Sequence, residues 1–160
     1  MKKRFLLAGV GAVVVAGVCG IALSFTLSAL PEPGRTETYF ATKAKHYLVW
    51  RGARDGVPAR APDEPGALKE GEKLFGRECA ACHGLSGRDP TDAGRWMYPR
   101  AANLSSPDSQ SYSDQEIFWI IKNGIRLSGM PALGKVEPDE HIWDLVLYVR
   151  TLPKAAAAQQ

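Results

Sequence analysis

The pentapeptide Cys79-Ala80-Ala81-Cys82-His83 constrains this chain more than any other feature of its sequence. Two thiols two residues apart, followed at once by a histidine, have the spacing of covalent haem c attachment. Each thiol can form a thioether with a vinyl group of the haem, and the adjacent imidazole can bind the iron from one face. The pentapeptide therefore predicts one haem c, bound covalently through Cys79 and Cys82.

Two other chemistries use a Cys-x-x-Cys pair. A redox-active disulfide uses such a pair without requiring a histidine at the next position. A structural zinc ion usually takes two such pairs, and the only other cysteine of the chain, Cys19, lies far upstream. Haem attachment is therefore the leading interpretation, with a disulfide or a metal site as the alternatives.

An uncharged stretch, Phe5 to Leu30, follows a basic run at residues 2–4. As a helix this stretch would extend ~39 Å at ~1.5 Å per residue, which exceeds the ~30 Å hydrocarbon core of a bilayer. The basic run would remain in the cytoplasm and place the rest of the chain on the other side. We predict a single N-terminal transmembrane helix over residues 1–30, contact with the lipid bilayer through residues 5–30, and a single-pass protein of the inner membrane with a periplasmic haem domain.

Two other uses of this N-terminal stretch are less favoured. A cleaved signal peptide has a shorter apolar region and a small-x-small site, of which Ser28-Ala29-Leu30 is a poor version. A lipoprotein signal would use Cys19, but Val18 stands where a small residue is needed. Cys19 is therefore interpreted as a small apolar residue within the helix.

The rest of the chain is electrically balanced. The three basic residues at positions 2–4 account for the whole formal charge of +3, so the remaining Lys and Arg equal the 17 Asp and Glu. A balanced surface argues against a nucleic acid as partner.

Residues 31–66 are predicted to connect the anchor to the haem domain. Apolar and aromatic residues at helical spacing predict a short amphipathic helix over residues 36–52, which packs on the haem domain or contacts a membrane surface or partner subunit. Residues 55–66 contain three prolines and no apolar periodicity, which predicts an extended, semi-rigid linker. Residues 154–160 are predicted to be a flexible tail.

Three helices are predicted within residues 67–153. The first runs from Ala67 to Cys82, and the second follows a capping box of Ser113 and Glu116. The third runs from 138 to 152, where Pro153 is expected to stop it. A small all-α domain of this size has little core of its own, so a large apolar macrocycle at its centre would supply the missing apolar contacts.

Met130 is the candidate for the second axial ligand of the iron. It lies in the loop Ser128-Gly129-Met130-Pro131, where the glycine lets the backbone approach the ring and the proline stiffens the chain. Met97 is the fallback ligand.

Further motifs accompany the pentapeptide. They are Gly71…Leu74-Phe75 before it, Gly84 after it, then Asn123-Gly124, Gly129-Met130-Pro131 and Trp143…Leu145…Tyr148-Val149. With these motifs, residues 68–152 resemble a class I cytochrome c domain. Within that class they are similar to the group that includes the haem domains of cbb3-type oxidase subunit III.

The resemblance implies a class I cytochrome c fold, a small helical domain around one haem c, whose first and last helices cross. Gly71 and Phe75 would then meet Leu145 and Tyr148 at the crossing.

The resemblance also implies the roles of individual residues. Cys79 and Cys82 would attach the haem, His83 would be the proximal ligand, and Met130 the distal ligand. In this family a proline carbonyl commonly accepts the proximal imidazole N–H, and Pro99 is assigned to this role, with Pro90 as the alternative.

A haem iron closed by His83 and Met130 has no open position for a substrate, so the chain is not expected to be an enzyme. We predict a membrane-anchored monohaem cytochrome that transfers single electrons between redox proteins outside the cytoplasm. It would be a subunit of a respiratory or photosynthetic membrane complex, or a carrier tethered to one. One or two polar residues of the middle loop are expected to meet the haem propionates, with Arg100 the first candidate among Arg95, Trp96, Arg100 and Asn103.

Two alternative functions remain open from the sequence. A haem-based sensor or small-molecule-binding protein would use a methionine ligand that leaves the iron. The electron-accepting subunit of a dehydrogenase would differ from the leading prediction only in its partner.

Overall fold

The structure is a computed structural model that describes residues 2–24, 28–58 and 65–157, with side chains over residues 9–20, 28–58 and 65–153. Every regular element among these residues is a helix, which confirms the all-α prediction. The chain divides into two compact units, Met1–Glu32 and Pro33–Gln160.

The N-terminal unit contains helix α1 (Lys2–Ser24), which ends before Leu30. No helix in the described part of the chain is long and apolar enough to cross a membrane. The predicted transmembrane helix over residues 1–30, its bilayer contact and the single-pass inner-membrane location are contradicted by this finding.

Helix α2 (Arg35–Gly56) is longer than the predicted amphipathic helix. It packs against helix α7 (Asp114–Asn123) and buries Val49 and Ala53 in that contact. The sequence left open whether this helix packs on its own domain or contacts a membrane surface or a partner subunit. The structure shows that it packs on its own helical domain. Half of the predicted linker, residues 59–64, lies outside the described residues.

Helix α3 (Ala67–Glu78) ends four residues before the predicted end of the first helix, Cys82. Ala67, Gly71, Leu74 and Phe75 form its buried face, at the three- and four-residue spacing of an amphipathic helix. Cys79 then begins the short helix α4 (Ala80–His83), and the backbone N–H of Cys79 still donates to the carbonyl of Phe75 at 2.9 Å. The attachment motif is thus continuous with the end of α3.

Helix α8 (Asp139–Ala157) crosses α3 in the most extensive helix contact of the domain. The rings of Phe75 and Tyr148 lie 5.1 Å apart between centroids, and Leu145 is completely buried. Gly71 faces the backbone carbonyl of Asp144, where a side chain would overlap the oxygen. The predicted crossing of the first and last helices is confirmed.

Replacement of Gly71 by alanine is expected to lower the stability of the domain by ~2–3 kcal/mol, because the new Cβ would force α3 and α8 apart. Thermal unfolding followed by circular dichroism measures this change. The matched control is Gly76→Ala on the same helix, where a Cβ meets nothing within 4 Å and the exchange should be neutral or stabilising by ~0.5–1 kcal/mol. Equal melting temperatures for the two variants would contradict the close packing at Gly71.

Pro153 lies inside α8 and does not end it as predicted. A proline lacks the N–H that would bond the carbonyl four residues earlier, which belongs to Val149. The side chain of Gln110 donates to this carbonyl at 3.2 Å, and Arg150 donates from Nε to Asp114 at 2.7 Å. The helix therefore tolerates the proline because Gln110, which precedes α7 in the sequence, supplies the missing donor. Residues 158–160 of the predicted tail lie outside the described residues.

Helix α7 begins at the predicted capping box. Glu116 accepts from the backbone N–H of Ser113 at 2.7 Å, and Ser113 Oγ accepts from the N–H of Glu116 at 3.2 Å. Short helices occupy the long connections: α5 (Asp92–Trp96), α6 (Pro107–Gln110) and a 3₁₀ helix (Leu133–Lys135). The buried Phe118 of α7 stacks on Trp143 of α8, with ring centroids 4.5 Å apart.

Candidate haem site

The residues that the sequence predicts as a haem site meet at one cavity. Cys79, Cys82 and His83 reach it from the end of α3 and from α4, and Met130 reaches it from the loop after α7. Pro99 and Arg100 of the middle loop also line this cavity. Most of the remaining lining is apolar: Ala101 comes from the middle loop, and α7, the 3₁₀ helix and their flanks supply Ile121, Ile125, Pro131 and Leu133.

The His83 imidazole is held in one orientation. Its Nδ1–H donates to the backbone carbonyl of Ala102 at 2.8 Å, which leaves Nε2 as the nitrogen with the free lone pair. Burial lowers the pKa of His83, against the opposing effect of this hydrogen bond. A lowered pKa favours the neutral ring at neutral pH, and the neutral ring is the form that binds a metal.

The acceptor at His83 corrects one sequence assignment. Pro99 lines the cavity, but the carbonyl at Nδ1 belongs to Ala102 and not to Pro99. The alternative, Pro90, accepts a hydrogen bond from Arg95 through its carbonyl. The course of the loop after Pro99 decides which carbonyl reaches the ring, and no residue type marks that position in the sequence.

The two thiols of the motif are free in the structure. Burial raises the pKa of Cys79 to about 12, with smaller contributions from the Glu78 carboxylate and from Cys82. Redox-active Cys-x-x-Cys pairs instead have a thiol with a lowered pKa, so this environment disfavours the disulfide alternative. In the described part of the chain, no group of three or more Cys, His, Asp or Glu side chains converges as a metal site would require.

The loop that carries Met130 is held by its own hydrogen bonds. Ser128 Oγ donates to the carbonyl of Ile125 at 2.7 Å and accepts from the N–H of Met130 at 3.2 Å. The N–H of Ile125 donates to the carbonyl of Met130 at 3.3 Å. These bonds place the loop so that the Met130 side chain lines the cavity.

Met97, the fallback ligand, lines the same cavity. Its sulfur occupies the space that a side chain at position 129 would fill, so a larger residue there would displace the Met97 side chain. Two thioethers, those of Met97 and Met130, therefore line the cavity.

The donor set fits a haem c. Two thiols two residues apart suit attachment to vinyl groups, an oriented neutral imidazole suits one face of the iron, and a thioether suits the other. The apolar lining suits the macrocycle.

The polar residues of the middle loop that were predicted to meet the haem propionates differ in whether they line the cavity. Arg100 lines the cavity, whereas Arg95, Trp96 and Asn103 are not among its described lining residues. Arg95 pairs with Asp92 at 2.6 Å, and Trp96 is 79 % exposed. Sequence reasoning missed Lys45 of α2, which does line the cavity. Its helix is distant in the sequence, and only the packing of α2 on α7 brings it there.

The fold and the donor set together define a haem domain of the cytochrome c class. The chain belongs to the family described as cytochrome C oxidase, cbb3-type, subunit III, whose sequence profile matches residues 66–149. This membership implies haem c as the cofactor and electron transport as the general role.

A solved structure supports the fold. A chain of the reducing HAO-like protein complex of Kuenenia stuttgartiensis superposes with a TM-score of 0.51 at 22% sequence identity. The match covers 61% of this chain and 47% of that chain, so it spans about half the length of the similar structure. No curated protein matches the chain significantly.

Proposed function

We propose that residues 67–153 bind one haem c through Cys79 and Cys82, with His83 and Met130 as axial ligands and with Pro99 and Arg100 against the cofactor. The chain then serves as a carrier of single electrons between redox proteins. The observation that carries this proposal is the meeting of both thiols, the oriented neutral imidazole and the Met130 thioether at one largely apolar cavity.

Each of these residues has a distinct task in electron transfer. The haem supplies an iron that changes reversibly between the ferrous and ferric states. His83, held by Ala102, keeps one axial position filled in both states, and Met130 favours the ferrous state and raises the reduction potential. With both axial positions filled by the chain, no position is left for a substrate, so the proposed role is electron transfer without catalysis.

The proposed partners are other redox proteins in an oxidoreductase complex. The family is described as subunit III of a cbb3-type oxidase, and the similar structure belongs to a complex of the reducing HAO-like kind. Both descriptions favour a protein that works beside other redox proteins.

Mass spectrometry of a tryptic digest tests the covalent attachment. Cleavage after Arg77 and Arg88 releases residues 78–88, which contain the whole pentapeptide. Addition of each thiol S–H across a vinyl C=C loses no atoms, so the expected mass is that of the peptide plus one haem. A bare peptide whose two thiols both react with iodoacetamide would refute the proposed attachment.

A further inference from the structure

Helix α2 contributes to the cavity although it lies outside residues 66–149, the part of the chain that matches the family. Its contact with α7 leaves Val49 only 2 % exposed, and His46 stacks on Tyr112 with ring centroids 4.4 Å apart. Lys45, directly before His46, is half-buried and lines the cavity. The packing of α2 thus brings a cation to a cofactor site formed mainly by other parts of the chain.

Among the described residues, the ammonium group of Lys45 has an aromatic neighbour but no carboxylate partner. Its Nζ lies 5.7 Å from the centroid of the Tyr112 ring, within the range of a cation–π contact. None of the ion pairs among the described residues includes Lys45. A half-buried cation without a counter-charge is unfavourable, so this position favours an anionic ligand.

The charges on the cavity lining favour the same kind of ligand. Lys45 and Arg100 are its basic side chains, and Glu78 is its acidic one. Glu78 already accepts a hydrogen bond from Arg77 at 2.5 Å, which offsets its negative charge. Lys45 therefore remains on this lining as a positive charge without an ion-pair partner among the described residues, which suits a carboxylate of a haem.

We propose that Lys45 binds a haem propionate, so that a helix outside the family's haem domain completes the cofactor site and raises its reduction potential. This inference rests on the proposed function, because the propionate belongs to the proposed haem. A propionate carboxylate stabilises the ferric iron, which carries one more positive charge than the ferrous iron. Lys45 offsets that carboxylate and thereby favours the ferrous state.

Redox titration of the purified haem protein tests this role with the variant Lys45→Gln. We expect the variant to bind haem normally. Its ferrous-to-ferric ratio at a given potential should fall about three- to tenfold, which corresponds to a decrease of ~30–60 mV in the midpoint potential at 59 mV per tenfold change. Lys45→Arg keeps the charge and should retain most of the original potential.

Lys43→Gln is the matched control, because Lys43 lies on the same helix, is exposed, and contacts Tyr39 at 5.9 Å from its ring centroid. It removes the same charge and should leave the potential unchanged. Infrared redox difference spectra supply a second measurement, in which the propionate carboxylate band should shift in Lys45→Gln but not in Lys43→Gln. If Lys45→Gln does not accumulate, Lys45→Met keeps the length of the side chain without its charge and should show the same two shifts.

The possible failures are distinguishable. A Lys45→Gln or Lys45→Met protein with full haem content, the original potential and the original carboxylate band overturns the role of Lys45 and leaves the proposed function intact. Equal shifts in the Lys43 and Lys45 variants also overturn it, because they would show a general effect of charge. Absence of covalent haem from the unmodified protein would instead refute the proposed function itself.

Discussion

Replacement of Met130 by alanine is expected to open the sixth coordination position of the haem iron. The ferrous variant should bind carbon monoxide promptly at neutral pH, whereas the unmodified protein should not. Loss of the thioether also removes the ligand that favours the ferrous state. We therefore expect the ferrous-to-ferric ratio at a given potential to fall at least ~100-fold, which corresponds to a decrease of ~120 mV in the midpoint potential. Absorption spectroscopy with carbon monoxide and a redox titration measure the two effects.

Met97→Ala is the control for this experiment, because Met97 lines the same cavity and its sulfur packs against Gly129. Its variant should stay closed to carbon monoxide and keep a potential near that of the unmodified protein. The opposite pattern, with Met97→Ala open and Met130→Ala closed, would assign the distal position to Met97. Prompt binding of carbon monoxide by the unmodified protein would favour the haem sensor with a displaceable ligand.

The double variant Cys79→Ala/Cys82→Ala is expected to lose covalent haem completely. Each single variant should retain one thioether, and haem should therefore stay with the polypeptide in a denaturing gel stained for haem. In the double variant no thiol remains at the cavity, and the stained band should disappear while the protein band persists.

The third cysteine provides the matched control for the double variant. Cys19 lies in α1, in the N-terminal compact unit, and Cys19→Ala should leave the haem-stained band unchanged. A stained band in the double variant would show that the covalent link lies elsewhere in the chain.

The local features of the helical domain could be predicted from the sequence because they depend on residue types at short spacing. The pentapeptide identifies two thiols and an imidazole, and Ser113 with Glu116 forms the capping box that was predicted. The crossing of α3 and α8 was expected from the resemblance to class I cytochrome c domains, and the structure shows that Gly71 allows the close approach of the two backbones. These are cases in which one residue type has one physical consequence.

Features that depend on the course of the backbone could not be predicted in the same way. The acceptor for His83 is a backbone carbonyl, which every residue has, so only the conformation of the loop selects Ala102 over Pro99. Pro153 was expected to end α8, but the helix continues through it. Gln110, which is distant in the sequence, donates the hydrogen bond to the Val149 carbonyl that Pro153 cannot donate. The place of Lys45 depends likewise on the packing of a distant helix.

The N-terminal prediction was wrong for a different reason. It took the uncharged stretch from Phe5 to Leu30 as one continuous helix, whereas α1 ends at Ser24 and no helix in the described residues meets the requirements of a membrane span. The absence of charge is a property of composition, and composition does not decide where a helix ends.

Nuclear magnetic resonance of the ferrous protein with ¹³C-labelled methionine methyl groups tests the central claim, a haem iron closed by His83 and Met130. The chain contains three methionines, at positions 1, 97 and 130, and a methyl group on the iron-bound sulfur lies in the ring current of the haem. We expect one methyl resonance shifted far upfield of the other two, and we expect that resonance to disappear in Met130→Ala but not in Met97→Ala. Three methyl resonances at ordinary positions would contradict the claim, as would a shifted resonance that belongs to Met97.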